Sequence, residues 1–161
     1  MRRDAIRMLR ILFVCTGNTC RSPMAEAMLN AKIGASGLVD RVKVLSAGIA
    51  VFGEAPASTG AQSAMARRSL NLAEHRARQL LPEYVQAADL VLTMTRSHKD
   101  AVIAAVPQAA DKVFTLAEFA GEVRDVSDPF GGSDAIYENC AAEIARLLDK
   151  AWEKIIQLAG E

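Results

Sequence analysis

The chain is most constrained by a short apolar run, Ile11-Leu12-Phe13-Val14, that ends abruptly in Cys15-Thr16-Gly17-Asn18-Thr19-Cys20-Arg21-Ser22-Pro23. Four consecutive apolar residues bounded by turn chemistry read as a strand buried on both faces, the kind found in parallel sheets. After the loop, Met24-Ala25-Glu26-Ala27-Met28-Leu29 reads as a helix with Pro23 at its first position. A glycine-bearing loop between a strand and a helix start gathers backbone N–H groups around one point, where the helix dipole adds partial positive charge. Such a loop holds anions. This one opens on a cysteine and closes on an arginine, which points to covalent chemistry on a phosphate.

The rest of the chain supplies the frame for that loop. Helix α1 is expected from about Ser22 to Ile33, stopped by Gly34 and Gly37. Strands are expected at 41–46, 89–94 and 112–116, and helices from Ser58 or Thr59 to about Ser69, at 82–88, from Ser97 to Val106 and around 117–120. The stretch 70–81 has no periodicity. A long final helix is expected from Ser133 or Asp134 to Leu158, with Ile136, Cys140, Ile144, Leu147, Leu148, Ala151, Ile155 and Leu158 on one face. Strands alternating with helices predict an α/β fold, a three-layer, doubly wound four-stranded parallel sheet in the order 2-1-3-4. In that order the Cys15 loop sits at the carboxyl end of a strand beside the topological switch, where such sheets bind ligands. Residues 9–161 form a single domain in this reading, behind a flexible basic leader of residues 1–8.

Composition excludes several classes. Nineteen Lys+Arg balance nineteen Asp+Glu, so no global field draws the chain to nucleic acid or an anionic membrane. No apolar run is long enough to span a bilayer, and no apolar signal core follows the basic N-terminus. Three cysteines make no even disulfide framework, which favours a reducing cytoplasm, and His75 and His98 lack the spacing of a metal site. No metal and no cofactor are expected, because Arg21 and backbone amides can carry the electrostatic work.

Within the loop, Cys15 is the candidate nucleophile, since a helix N-terminus and a guanidinium both favour the thiolate. Arg21 can hold two phosphate oxygens at once. A positive charge at a helix start is locally unfavourable, a cost that makes sense if an anion binds there. Ser22 has two readings, a donor to the Cys15 sulfur or a plain helix N-cap. Gly17 gives the loop its freedom, and Asn18 is suited to a left-handed backbone. A phosphocysteine route also needs a proton donor for the leaving group and a base for water. Asp128, held extended by Pro129 in Ser127-Asp128-Pro129-Phe130-Gly131-Gly132, is the best candidate.

Cys15 to Pro23 together with Asp128-Pro129-Phe130 closely resembles the low-molecular-weight protein-tyrosine-phosphatase family, from Leu9 to nearly the end of the chain. The resemblance implies the low-molecular-weight phosphatase fold and a cysteine-dependent protein phosphatase that works through a phosphocysteine intermediate. It implies Cys15 as nucleophile, Arg21 as phosphate clamp, Asp128 as acid and base, and Thr16 to Ser22 as the phosphate-binding loop. It further implies Asn18, Ser22, Ser46 and His75 as braces of the loop and Phe52 and Phe130 as aromatic pocket walls. Cys20 matches a second loop cysteine that traps the oxidised nucleophile, although a passive small residue is an equal reading. Phosphorylated proteins would be the substrates, inorganic phosphate the product, and the enzyme a monomer. Thr19, where tyrosine-specific members carry a bulky aliphatic residue, and Gly131, where many carry another aromatic, resemble the bacterial protein-arginine-phosphatase branch. The alternative is a preference for phosphotyrosine. An arsenate reductase would need a downstream cysteine pair, and only Cys140 lies there. A non-catalytic phosphopeptide-binding module would need neither Cys15 nor Asp128.

Overall fold

A computed structural model describes residues 7–160. Residues 1–6 of the expected leader lie outside the described residues; next to them, Arg7 Nη2 reaches Asp89 Oδ1 at 2.5 Å.

Strand β1 (Leu9–Cys15) lies at the centre of the molecule because both its faces are apolar. Alternate side chains point to opposite sides of a strand. Leu9, Ile11, Phe13 and Cys15 therefore enter one core layer, while Leu12 and Val14 enter the other. It pairs in parallel with β2 (Val42–Gly48) on one side and β3 (Leu90–Thr93) on the other, and β3 pairs with β4 (Val113–Thr115). The order is β2-β1-β3-β4, as the alternation of elements predicts.

The larger layer is built on α1 (Arg21–Ala35), α2 (Thr59–Ala66), α5 (Leu116–Phe119) and α6 (Asp134–Gly160), with Met24, Leu29, Met65, Leu116, Ile144 and Leu148 in one buried cluster with Phe13. The opposite layer comes from α3 (Pro82–Ala87) and α4 (Arg96–Ala105), through Val85 and Val102. Both layers cover β1 from Ile11 onward, and the loop begins at the carboxyl end of the strand.

Several element ends differ from expectation, each for a local reason. Gly34 lies inside α1, and the helix stops instead at Gly37, whose φ of +70° lets the Leu38 N–H turn back to the Ile33 carbonyl at 3.0 Å. Pro23 stands third in α1, behind Arg21 and Ser22, and Cys20 holds the N-cap position. Thr95, not Ser97, caps α4 by accepting the His98 N–H. A 3-10 turn at Pro107–Lys112 precedes β4, and β2 runs on to Gly48. In α6 the buried face carries Tyr137 and not Ile136, which is 48% exposed. Gly60 explains the exchange: a Cβ there would fall 2.3 Å from the Tyr137 ring, so the glycine opens the slot that the ring fills. Ile136 packs instead on Gly132 in the loop before the helix.

Candidate active site

The loop from Cys15 to Arg21 is shaped by what holds its carbonyls. The Cys15 carbonyl accepts the Ile49 N–H at 3.0 Å and the Thr16 carbonyl accepts the Ala50 N–H at 2.9 Å. The Asn18 carbonyl lies 2.7 Å from His75 Nε2, which donates, and the Thr19 carbonyl accepts the Ser58 N–H at 2.9 Å. All four carbonyls are engaged by surrounding chain. In a trans peptide the N–H points opposite to the C=O. The N–H groups of Thr16, Gly17, Thr19 and Cys20 therefore turn toward the hollow of the loop. No side chain caps α1, whose first turn adds its own N–H groups to that hollow.

Backbone strain in the loop falls on Asn18, at φ +57°, and not on Gly17. Asn18 is fully buried, and its side chain repays the conformation. Its Oδ1 accepts the Arg78 N–H at 2.9 Å, and its Nδ2 donates to Ser22 Oγ at 2.8 Å and Ser46 Oγ at 3.0 Å. The glycine that the loop does need is Gly48, at the end of β2. A Cβ there would meet the Thr16 carbonyl oxygen at 2.6 Å and the Asn18 nitrogen at 2.9 Å.

Ser22 Oγ lies 2.9 Å from Cys15 Sγ, with both groups buried. It does not cap α1, because it is the second residue of the helix and Cys20 holds the N-cap position. Since Asn18 donates to the Ser22 oxygen, the Ser22 hydrogen is free to be donated to the sulfur. Ser46 relays the same network outward, donating to Glu26 Oε1 at 2.6 Å.

Arg21 is a buried cation, 4% exposed, at the start of α1. Nη1 donates to the Val126 carbonyl at 2.8 Å, Nη2 to Thr16 Oγ1 at 3.4 Å, and Asp128 Oδ2 lies 3.7 Å from Nη2. The Val126 N–H is in turn held by the Met94 carbonyl at 2.9 Å. The arginine thus joins the Cys15 loop to the segment that carries Asp128. Asp128 itself is half-exposed and closes a turn by accepting the Phe130 N–H at 3.1 Å.

Other expected site residues are placed differently. Cys20 is buried, with Sγ 3.3 Å from Ser58 Oγ and 3.4 Å from Tyr137 Oη. Thr19 is half-buried, with Oγ1 3.7 Å from the Cys20 sulfur. Phe52 and Phe130 stand in solvent, 94% and 74% exposed, as free aromatic edges on two surface loops. Cys140 is buried, its sulfur 3.7 Å from the Ser127 carbonyl, and burial pushes its thiol up to about 12, so it stays protonated. Among the described residues no group of three or more His, Cys, Asp or Glu could hold a metal.

Sequence reasoning missed Glu26, Ser58, Tyr137 and His98. His98 Nε2 lies 2.8 Å from Thr16 Oγ1. His98, Ser58 and Tyr137 meet the loop directly and Glu26 through Ser46, all by tertiary contact. The one local signal was Ser58, already a helix-capping residue in sequence and found to accept the Ala61 N–H.

A buried cysteine facing a ring of N–H groups, an arginine behind it and a carboxylate above it define a phosphatase of the Cys-x5-Arg type. The sequence matches the family described as low molecular weight phosphotyrosine protein phosphatase over residues 10–158, and the chain belongs to that family. It is 42% identical over 147 residues to a protein-arginine-phosphatase of Geobacillus stearothermophilus, covering 91% of this chain and 95% of that one. Among solved structures it resembles a low molecular weight protein tyrosine phosphatase from T. tengcongensis, with a TM-score of 0.87, 44% identity, and 91% and 99% of the two chains covered. It also resembles a YwlE arginine phosphatase mutant with a phosphorylated active site serine, with a TM-score of 0.87, 40% identity, and 91% and 95% covered. The protein is a protein phosphatase.

Proposed function

We propose that this phosphatase removes the phosphoryl group from phosphoarginine in proteins, with Cys15 as nucleophile, Arg21 as clamp and Asp128 as acid and base. In the first step the Cys15 thiolate attacks phosphorus and an S–P bond forms. The P–N bond to the guanidino group breaks as the Asp128 carboxyl protonates the leaving nitrogen. In the second step the Asp128 carboxylate takes a proton from water, which attacks phosphorus. The S–P bond breaks, inorganic phosphate leaves, and the Ser22 hydroxyl stabilises the departing thiolate. Arg21 and the inward N–H groups hold the equatorial oxygens through both steps.

The choice of phosphoarginine rests on one observation, Thr19 in the wall of the loop. Its carbonyl is tied to Ser58, so the residue cannot swing away, and its small hydroxyl side chain leaves room and polarity for a guanidino group. Likeness to relatives named protein-arginine-phosphatase supports the same reading. Phe52 and Phe130 support a second one, because two free aromatic edges suit the flat ring of phosphotyrosine.

Measuring kcat/KM on matched phosphoarginine and phosphotyrosine peptides separates the two. The first reading predicts a ratio above about tenfold for phosphoarginine, equivalent to about 1.4 kcal/mol of transition-state binding, which Thr19→Ile reverses. A preference for phosphotyrosine in the unmodified protein contradicts it.

The same reading makes the protein a monomer in a reducing cytoplasm, acting on phosphorylated proteins and neither nucleic acid nor membrane. The three cysteines, all free thiols, and the balanced charge support it. No described helix is long and apolar enough to cross a membrane.

A further inference from the structure

His98 stands in the first turn of α4, across the switch crevice from the Cys15 loop, and is 6% exposed. Nε2 meets Thr16 Oγ1 at 2.8 Å, while Nδ1 is buried with no hydrogen-bond partner among the described residues. Burial, then the Arg21 guanidinium, push its pKa down to about 4 against the opposing pull of Asp125 and Asp128, so the ring is neutral near pH 7. It therefore places no second positive charge behind the arginine and offers one hydrogen bond to one hydroxyl.

That hydroxyl is shared. Arg21 can only donate, so Thr16 Oγ1 must present a lone pair to Nη2. A hydroxyl rotor without another partner turns freely, and a bond to His98 stops it. The far side of the guanidinium is already fixed by the Val126 carbonyl. With Nη1 held by Val126 and Nη2 by a stopped rotor, the plane of the guanidinium has both ends set.

We propose that His98 is a positioning residue for the phosphate clamp: through the Thr16 hydroxyl it fixes the Arg21 guanidinium and so sets the affinity of the loop for a tetrahedral oxyanion. The proposal rests on the phosphatase reading of the Cys15 loop. A ring that merely fills the core would support the fold and leave anion affinity alone.

Inorganic phosphate titrated calorimetrically at pH 7 tests this in a Cys15→Ala background, where no covalent step intervenes. His98→Leu is expected to weaken phosphate binding about tenfold, a loss typical of one hydrogen bond to a charged group. His98→Gln, which keeps a polar atom near the Nε2 position, should stay within about threefold of the parent. Thr16→Val should lose as much as His98→Leu, and the double variant should lose no more than either, because coupled residues are not additive. Unchanged phosphate affinity in folded His98→Leu overturns the proposal, as do additive losses. If His98→Leu does not fold, unchanged affinity in Thr16→Val overturns it instead. Failure of the Cys15→Ala parent to bind phosphate would sink the phosphatase reading and the proposal together, whereas binding that His98→Leu leaves intact sinks the proposal alone.

Discussion

The Ser22 hydroxyl lies 2.9 Å from the Cys15 sulfur, and the Asn18 amide, donating to the same oxygen, leaves the hydroxyl hydrogen for the sulfur. The sulfur carries most negative charge when it departs from phosphorus in the second step. A donor aimed at it therefore matters more for hydrolysis of the phosphoenzyme than for its formation. Ser22→Ala should slow kcat by on the order of tenfold to a hundredfold, at or below the usual loss for one preorganised donor. Rapid-quench kinetics should show the phosphoenzyme accumulating. Equal slowing of both steps would assign Ser22 to packing.

Asp128 sits half-exposed 3.7 Å from Arg21, on a segment anchored through Val126, while its own side chain holds only the local turn to the Phe130 N–H. Its removal should leave the loop intact. Asp128→Ala is expected to lower kcat/KM by about a hundredfold or more on substrates with a basic leaving group, and much less on activated aryl phosphates that need no proton. Equal losses on both would argue against proton donation.

The neutral state of His98 has a cost in acid. Its pKa is about 4 in the folded protein against 6.5 for an ordinary histidine, so the unfolded chain binds more protons between those values. Stability linked to this ring is complete above about pH 6.5 and is lost as pH falls toward 4, by about 3 kcal/mol. Denaturant unfolding of the parent and His98→Gln across pH 4–7 checks it. The parent should lose more stability over that window than the variant. Parallel curves would mean that His98 titrates normally.

How legible all this was depended on whether the signal was local. The strand, the loop and the start of α1 are contiguous, so Cys15, Arg21 and the switch-point position followed from a dozen residues and the rule that such sheets bind ligands at strand ends. Asp128 followed from a turn signal only because the loop already demanded an acid. Ser22 could not be decided from sequence, because capping and sulfur binding need the same residue type, and the N-cap position of α1 at Cys20, with the Asn18 amide on the Ser22 oxygen, chooses between them. His98 and Glu26 stayed silent for a different reason. His98 meets the loop from 82 residues away and Glu26 reaches it only through Ser46, and an isolated histidine or glutamate on a helix has no pattern. The buried face of α6 was misread by one position at Ile136 and Tyr137, because the deciding residue, Gly60, lies on another helix.

The loop's claim to be a covalent site can be tested without knowing the natural substrate. The enzyme is mixed with a phosphopeptide, quenched in acid within one turnover, and examined by mass spectrometry and phosphorus NMR. The account predicts one phosphoryl group per chain on the Cys15 sulfur, increased in Ser22→Ala and absent in Cys15→Ala. Turnover with no phosphorylated Cys15 at any quench time, or undiminished turnover in Cys15→Ala, would contradict it.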